Sequence, residues 1–281
     1  MTVIVADCGS TKSDWRIKGS DGHVVPFKGD GINAALDSRD ELVGKFMQLK
    51  PFVGDGRVVL YFYGAGVVSK EVSDAVGDAF SEVFPCSSCE ARSDMEGAAR
   101  SLLGDGDGIA AILGTGSNSA FCKEGRIVYS VPSGGYVLGD EGSGAWIGKA
   151  LLSDYVKSLM PEDVSKEFER AYGLDYPGIV KAVYASAFPN RFIAGFAVFA
   201  GALKSHPYIK NILANGFDSF FARNIMQYGQ AGKCFLGLTG SVAWNFSEYV
   251  REAAVRAGLR VDKITSSPIE ALAEYHFSHY V

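Results

Sequence analysis

One pattern of strands and glycine turns occurs twice in this chain, and it limits the folds that the chain can adopt. The first copy is an apolar run, Val3–Ala6, that ends at Asp7 and the turn Cys8-Gly9-Ser10-Thr11. The second copy is Gly108–Leu113, followed by the turn Gly114-Thr115-Gly116-Ser117. Two further short strand candidates, joined by a tight turn, follow each copy. The matching order and turn chemistry predict an internal duplication.

The length of 281 residues supports two domains, because single hydrophobic cores stop growing near this size. We place the first domain at residues 1–105 and the second at 106–281, with a helical insertion in the second and a last helix that can pack back on the first. The pattern after Ser143 is largely helical. The helices predicted there are Ala145–Leu159, Ser165–Tyr172, Arg191–Leu203, Asn211–Tyr228, Val242–Ala257 and Pro268–Phe277.

Charge and cysteine usage narrow the class of protein. The net charge is −5, and Lys and Arg are interspersed with acids, so no basic stripe indicates nucleic acid or an anionic membrane as a partner. The five cysteines are an odd number, and no basic region precedes the first acid at Asp7, so we expect reduced thiols in a cytoplasmic protein without a signal peptide. The longest apolar run, Phe192–Leu203, is too short to span a bilayer.

The glycine turns are candidate phosphate sites. Successive backbone N–H groups in such a turn can hold phosphate oxygens, and an acid before the turn, as at Asp7, can hold Mg²⁺ through water. A plain hairpin turn with Asp as the turn former explains one such segment equally well. A third turn, Thr239-Gly240-Ser241, precedes a helix and suits a nucleotide or anion site. Three turns in this order favour a polyphosphate ligand.

Two acidic segments carry alternative interpretations. Ser93 and Glu96 fit a capping box, in which Asp94 is a favourable first-turn acid. Asp94 can also serve as the general base for a substrate hydroxyl. Asp140 lies in Gly139-Asp140-Glu141-Gly142-Ser143, where it is either a helix-start acid or an acceptor for sugar hydroxyls, because the glycines permit close backbone approach.

The cysteine and histidine pairs give only weak indications of a further functional site. Cys86 and Cys89 have metal spacing but no second pair, so zinc is a minor alternative. His276 and His279 lie three residues apart near the end of the last helix, and we expect them on a solvated face or capping carbonyls.

The order of these motifs resembles the N-acetylglucosamine kinase family, within the wider BadF/BadG/BcrA/BcrD ATPase group. The resemblance covers nearly the whole chain and is most specific in Gly114-Thr115-Gly116-Ser117-Asn118 followed by Gly139–Ser143. It implies an α/β fold of two duplicated ribonuclease H-like domains of the actin and hexokinase type, each with a mixed sheet, and an ATP cleft between them.

The same resemblance implies roles for individual residues. Asp94 would take the proton of the 6-hydroxyl, and Asp7 would lie near Mg²⁺. The residues that it places near ATP are Gly9, Ser10, Thr11, Lys12, Thr115, Gly240 and Ser241. The residues that it places at the sugar are Asn33, Asp94, Ser117, Asn118, Gly135, Tyr136 and Asp140. The expected partners are the sugar and ATP, with a homodimer left open.

The segment before Gly139 departs from the family pattern. The family has a longer Gly-Gly-Trp-Gly segment, whereas this chain has Gly134-Gly135-Tyr136-Val137-Leu138. The choice among N-acetylglucosamine, N-acetylmuramic acid and glucosamine therefore stays open. Two other functions also stay open: an ATPase that activates a 2-hydroxyacyl-CoA dehydratase, which would need cluster cysteines, and a sugar-binding regulator without turnover.

Overall fold

The structure is a computed structural model, and it describes residues 1–9, 11–54 and 56–278. Their contacts divide the chain into two units. Unit 1 comprises Met1–Gly106 together with the chain from Ser267 onward, and unit 2 is Asp107–Ser266. The last helix therefore lies in unit 1.

Unit 1 contains five strands and four α-helices among its described residues. The strands are β1 (Thr2–Cys8), β2 (Lys12–Lys18), β3 (Val24–Asp30), β4 (Val58–Gly64) and β5 (Ser88–Ser93). The helices are α1 (Arg39–Met47), α2 (Lys70–Val83), α3 (Asp94–Leu103) and α13 (Ile269–Ser278), with a 3₁₀ helix at Lys50–Phe52.

The sheet of unit 1 has the order β3-β2-β1-β4-β5. The first three strands pair antiparallel, whereas β1, β4 and β5 run parallel, so the sheet is mixed. One face packs against α1 and α2 through a fully buried aromatic cluster that includes Trp15, Phe46, Phe62 and Phe80. The opposite face packs against α3 and α13.

Unit 2 repeats this sheet and adds helices. Its strands are β6 (Gly108–Leu113), β7 (Ser117–Lys123), β8 (Arg126–Val131), β9 (Leu236–Thr239) and β10 (Lys263–Thr265). Its helices are α4 (Gly135–Leu138), α5 (Gly144–Val156), α6 (Glu162–Tyr172), α7 (Tyr176–Ala185), α8 (Pro189–Gly195), α9 (Ala197–Ala202), α10 (Pro207–Arg223), α11 (Ser241–Asn245) and α12 (Ser247–Arg256), with a 3₁₀ helix at Ile225–Gln227.

The strand order of the two sheets agrees with the predicted duplication. From β8 the second sheet runs β8-β7-β6-β9-β10, which matches β3-β2-β1-β4-β5 strand for strand, with the same antiparallel and parallel pairs. The predicted fold of two duplicated α/β domains with mixed sheets is confirmed. In this correspondence the turn after β1 is equivalent to the turn after β6, as the sequence pattern predicts.

The helical part of unit 2 departs from the prediction in three places. The predicted helix Arg191–Leu203 is interrupted at Phe196, and the predicted helix Val242–Ala257 is interrupted at Phe246. Helix α7 is not predicted at all. Its start at Asp175, whose carboxylate accepts the Gly178 N–H at 2.9 Å, is a cap signal that the sequence does carry.

Helix α13 fastens to the sheet of unit 1 through a buried histidine. His276 stacks on Tyr61 with ring centroids 3.7 Å apart, and its Nε2 lies 2.8 Å from the Tyr63 hydroxyl. Arg100 donates to the same hydroxyl at 2.6 Å. The prediction that His276 lies on a solvated face is wrong, because α13 packs that face onto β4; His279 lies outside the described residues.

Within the described residues, every helix is too short or too polar to cross a membrane. All five cysteines fall within the described part and are free thiols, with Cys8 and Cys122 buried.

Candidate active site

Three parallel strands of unit 1 bring two predicted acids to one edge of the sheet. Asp7 is the penultimate residue of β1, and Asp94 follows directly after β5. Strand β4 lies between them, with Gly64 paired to Cys8 on one side and to Ser93 on the other. Because carboxyl ends of neighbouring parallel strands meet at one edge, residues far apart in sequence face the same region.

Asp94 opens helix α3, and its neighbours perform the capping. The Ser93 hydroxyl accepts the Glu96 N–H at 3.2 Å, while the Glu96 carboxylate accepts the Ser93 N–H at 3.0 Å. The predicted capping box is therefore present. The Asp94 carboxylate accepts the N–H of its neighbour Met95 at 2.8 Å. Burial raises the pKa of the Asp94 carboxyl above its usual range, so capping does not account for this side chain.

Asp7 lies in an environment that opposes its ionisation. Burial, followed by the charges of Asp94 and Asp14, raises the pKa of Asp7 to about 7. The charge of Lys12 and a long hydrogen bond from Ser267, at 3.5 Å, act in the opposite direction. At this edge of unit 1 the three carboxylates therefore outnumber the one cation beside them, Lys12.

The first glycine turn joins β1 to β2. The Gly9 carbonyl accepts the Ile32 N–H at 3.1 Å, which ties the turn to the loop after β3. Thr11 and Lys12 are exposed to solvent, and Ser10 lies outside the described residues.

Asn33 closes its own loop beside this edge. It forms an isolated parallel bridge with Ala65, directly after β4. Its side-chain oxygen accepts the Ala35 N–H at 3.2 Å, and its backbone N–H donates to Asp37 at 3.0 Å. A side chain at Gly66 would collide with the Asn33 oxygen, so that glycine permits the close approach.

The second glycine turn, in unit 2, is held by Asp140. The Asp140 carboxylate accepts the Ser117 N–H at 3.0 Å and lies where a side chain at Gly116 would be. Asp140 adopts a left-handed backbone with φ +56°, and burial raises the pKa of its carboxyl. A non-glycine residue in this conformation is uncommon and marks positions held by their surroundings. The structure thus brings together Ser117 and Asp140, which are 23 residues apart.

The start of α5 holds the turn from the other side. The N–H groups of Gly144 and Ala145 donate to the carbonyls of Gly114 and Thr115 at 2.8 and 3.0 Å. Glu141 points elsewhere: its carboxylate pairs with Arg223 at 2.6 Å. The two acids of the glycine loop therefore make different contacts. Asp140 binds the turn after β6, whereas Glu141 pairs with a residue of α10.

Ser117 and Asn118 begin β7. The Ser117 hydroxyl is buried and has no hydrogen-bond partner among the described residues. Such an orphaned group in a native fold calls for a ligand or water. The Asn118 side-chain oxygen accepts the Ser119 N–H at 2.8 Å, so its orientation is fixed locally.

The shortened segment before Gly139 forms a single helical turn. Gly134 and Gly135 both have left-handed backbones, at φ +73° and +67°. The Tyr136 carbonyl accepts a hydrogen bond from Lys149 at 3.2 Å, while Val137 and Leu138 are exposed. Gly135 is required by its backbone conformation, and Tyr136 is tethered through its main chain.

A cavity of about 370 Å³ in unit 2 joins the second and third glycine turns. Thr115 and Ser241, both predicted near ATP, line it together. Its remaining walls come from residues that the sequence did not single out: the small side chains of α8 and α9, Lys204, and Asn245 on α11. Ala194, Ala197 and Gly201 are small residues spaced three and four apart, which is a sequence pattern that allows another group to approach the helix backbone closely.

A larger cavity of about 740 Å³ lies in unit 1 along β5 and the start of α2. None of the predicted site residues lines it.

The backbone conformation of Gly240 predicts that a side chain at this position destabilises the fold. It adopts φ +117°, and a Cβ there would lie 2.4 Å from the Leu113 carbonyl oxygen. We expect Gly240→Ala to lower the free energy of unfolding by about 1–3 kcal/mol, measured by denaturant titration. Gly114→Ala is the matched control, since a Cβ at Gly114 meets nothing within 4 Å. Equal effects of the two substitutions would contradict the steric argument.

Comparison with known proteins decides the family. Searches against protein-family models and against curated proteins return no match. The structure of a proposed N-acetylglucosamine kinase from Porphyromonas gingivalis matches with a TM-score of 0.90 and 35% identity, over 99% of this chain and 100% of that one. The chain belongs to the N-acetylglucosamine kinase family. Membership places it among the ATP-dependent sugar kinases, as the motifs predict.

More distant structures share the fold of this family member. A proposed N-acetylglucosamine kinase from Chromobacterium violaceum matches with a TM-score of 0.75 and 17% identity, covering 98% of both chains. A ROK family glucokinase from Streptomyces griseus, solved with glucose and AMPPNP, matches with a TM-score of 0.58 and 14% identity, again over 98% of both chains. At these identities the likeness extends to the architecture alone.

Proposed function

We propose that this protein transfers the γ-phosphate of ATP to an amino sugar, with the 6-hydroxyl of N-acetylglucosamine as the acceptor. The observation that carries the proposal is the full-length match, at 35% identity, to a protein named as an N-acetylglucosamine kinase. The site geometry supports the separate roles of the residues.

Asp94 is the proposed general base. Its carboxylate is half-buried at the end of β5 and accepts one backbone N–H from Met95. A carboxyl whose pKa is raised by burial is a stronger base once ionised, which suits removal of a hydroxyl proton. Phosphoryl transfer needs mainly positioning and charge neutralisation, so one carboxylate that orients and deprotonates the acceptor is sufficient.

The proposed nucleotide contacts lie on both units. In unit 2 the 370 Å³ cavity falls within the size range of small-molecule sites and combines Thr115 with Ser241 beside an apolar wall. Gly240 permits the close backbone approach described above. In unit 1 the turn residues Gly9, Ser10, Thr11 and Lys12 are assigned to the phosphates, because glycine turns expose N–H groups and Lys12 adds a solvent-exposed cation.

Asp7 is the proposed residue for Mg²⁺. The excess negative charge that raises its pKa fits a site for a divalent cation, because a cation would relieve the repulsion from Asp14 and Asp94. Among residues 1–9, 11–54 and 56–278, no group of three or more metal-binding side chains is assembled. This suits Mg²⁺, which keeps several waters and takes one or two carboxylates plus phosphate oxygens. The bound ion would neutralise charge on the transferred phosphoryl group.

The proposed sugar contacts are Asn33 and Asp94 in unit 1 and Ser117, Asn118, Gly135, Tyr136 and Asp140 in unit 2. Support is strongest for Ser117, whose buried hydroxyl has no partner among the described residues. Asp140 uses one oxygen for the Ser117 N–H. A carboxylate has about four acceptor sites, so capacity for a sugar hydroxyl is left.

A sugar panel tests the proposal. We expect ATP turnover, followed in a coupled assay with Mg²⁺, to depend on N-acetylglucosamine and to exceed that with glucosamine, N-acetylmuramic acid and glucose. Asp105→Asn is the control variant: Asp105 accepts a hydrogen bond from Tyr275 far along α13, so its loss leaves turnover unchanged. ATP turnover that ignores every sugar would end the assignment.

A further inference from the structure

The cavity of unit 2, to which the proposed function assigns the nucleotide, has two chemically different ends. One end contains Gly114, Thr115 and Gly144, which lie together because the Gly144 N–H donates to the Gly114 carbonyl at 2.8 Å. The other contains Gly201, Lys204 and Asn245. A Cβ at Gly201 would lie 3.9 Å from Cζ of the largely buried Phe246, so this glycine leaves the space beside the ring edge, here called the slot, free of a side chain. The first end suits phosphate, and the second suits a flat base.

Helix α11 connects the two ends. A Cβ at Gly240, immediately before it, would lie 2.4 Å from the Leu113 carbonyl oxygen and 3.4 Å from the Gly114 nitrogen, so the helix starts close to the phosphate end. Asn245 is the last residue of α11, four residues after Ser241. Four residues of helix advance about 6 Å, so Asn245 lies one turn away from the phosphate end, next to the slot.

The orientation of the Asn245 amide is fixed. Its Nδ2 donates to the Ser241 carbonyl oxygen at 2.8 Å. A carbonyl oxygen can only accept, so the nitrogen must occupy this side and the oxygen the other. No hydrogen bond from a described residue reaches the Asn245 Oδ1. Asn245 therefore presents a lone acceptor at the base end of the cavity.

We infer that Asn245 selects the base of the nucleotide, accepting a hydrogen bond from the 6-amino group of adenine. Adenine carries an N–H₂ donor at this position, whereas guanine and hypoxanthine carry a carbonyl acceptor. A carbonyl there would face the Asn245 oxygen, and turning the amide nitrogen toward the base would break the hydrogen bond to Ser241. This inference rests on the proposed nucleotide role of the cavity. The competing explanation is that the Asn245 oxygen is simply solvated at a helix end.

ATP and ITP are the probes, because they differ at the position that Asn245 would contact. We expect the wild type to prefer ATP, and Asn245→Ala to lower kcat/KM for ATP about five- to tenfold while leaving kcat/KM for ITP within about twofold. Trp244→Phe is the matched control, since Trp244 is exposed, adjacent in sequence and outside the cavity lining. An Asn245→Ala variant with the wild-type ATP/ITP ratio would overturn the inference.

Calorimetric binding of ATP and ITP separates this inference from the proposed function. If the wild type shows no sugar-dependent turnover, the proposed reaction fails, but the ratio of the two dissociation constants still tests Asn245. Equal binding of ATP and ITP by the wild type would overturn the inference even in an active enzyme.

Discussion

Asp94→Asn is expected to lower kcat by about 10²- to 10⁴-fold with little change in KM for ATP, because general-base catalysis contributes on this scale. Asparagine keeps the size of the side chain and an oxygen that can accept the Met95 N–H. The Ser93–Glu96 capping box is untouched, so helix α3 should remain folded. Steady-state kinetics with N-acetylglucosamine measures the loss, and full activity of this variant would remove Asp94 from the chemistry.

Glu96→Ala is the matched control for Asp94→Asn. It removes the acceptor for the Ser93 N–H and leaves Asp94 in place. We expect a loss of about 1 kcal/mol in the free energy of unfolding with near-normal kcat, the reverse of the Asp94→Asn result. The two variants thus separate the capping role of this helix start from its chemical role.

The pH profile adds a second readout for Asp94. The base must be ionised, and burial raises the pKa of its carboxyl, so kcat/KM should rise with pH along a limb that lies above the usual range of an aspartate. Asp94→Asn should abolish that limb in its residual activity. If the limb persists unchanged in the variant, it reports another group.

The repeated part of this fold could be predicted from sequence because its signals are local. Alternating and continuous apolar runs define β1 and β6, and glycine turns follow each at the same place. The start of helix α3 is likewise predicted by the capping residues Ser93 and Glu96. The order of strands in a sheet depends on contacts between distant segments, so it is not a local signal. Because the chain is duplicated, the strand order of the second sheet can still be inferred from that of the first.

The helical part of unit 2 lacks such redundancy. Apart from Gly195, nothing in residues 189–203 breaks the helical apolar spacing, yet the helix is interrupted at Phe196, which packs its ring on Phe168 and Phe192. His276 shows the same limit in unit 1. Its spacing near the end of a helix allows a solvated position, and only the packing of α13 on Tyr61 and Tyr63 places it in the interior. Tertiary packing overrides local preference at both positions.

The glycine turns could be predicted from the sequence, but the hydrogen bonds that hold these turns in place could not. The contact of Asp140 with the Ser117 N–H, and of the α5 start with Gly114 and Thr115, are tertiary hydrogen bonds between separate elements. The role of Asn33 as the closure of its own loop follows from the bridge to Ala65, which is also non-local. Asn245 could not be predicted from sequence, because its chemistry depends on the cavity that surrounds it.

Asp7→Asn should have opposite effects on stability and activity. Burial, Asp94 and Asp14 raise the pKa of Asp7 to about 7, against about 3.9 in an unfolded chain. Because the folded pKa is the higher one, ionisation of Asp7 costs the folded state nothing below about pH 4 and an increasing amount up to pH 7. The neutral asparagine avoids this cost. Three pKa units correspond to about 4 kcal/mol, so we expect the metal-free variant to be about 4 kcal/mol more stable than the wild type at pH 8 and equal to it near pH 4.

The same substitution should lower kcat about 10²-fold or more if Asp7 holds Mg²⁺, because a bound cation contributes several kcal/mol to stabilising transferring charge. Thermal unfolding with and without Mg²⁺ gives the decisive comparison. Mg²⁺ should raise the Tm of the wild type at pH 8, by relieving repulsion around Asp7, and leave the Tm of Asp7→Asn nearly unchanged. Asp14→Asn is the control: it removes a neighbouring charge that raises the pKa of Asp7 but should keep the Mg²⁺ response. Equal Mg²⁺ responses in the wild type and Asp7→Asn would show that the ion binds elsewhere, and the pH-dependent stability would then be a property of the crowded carboxylates alone.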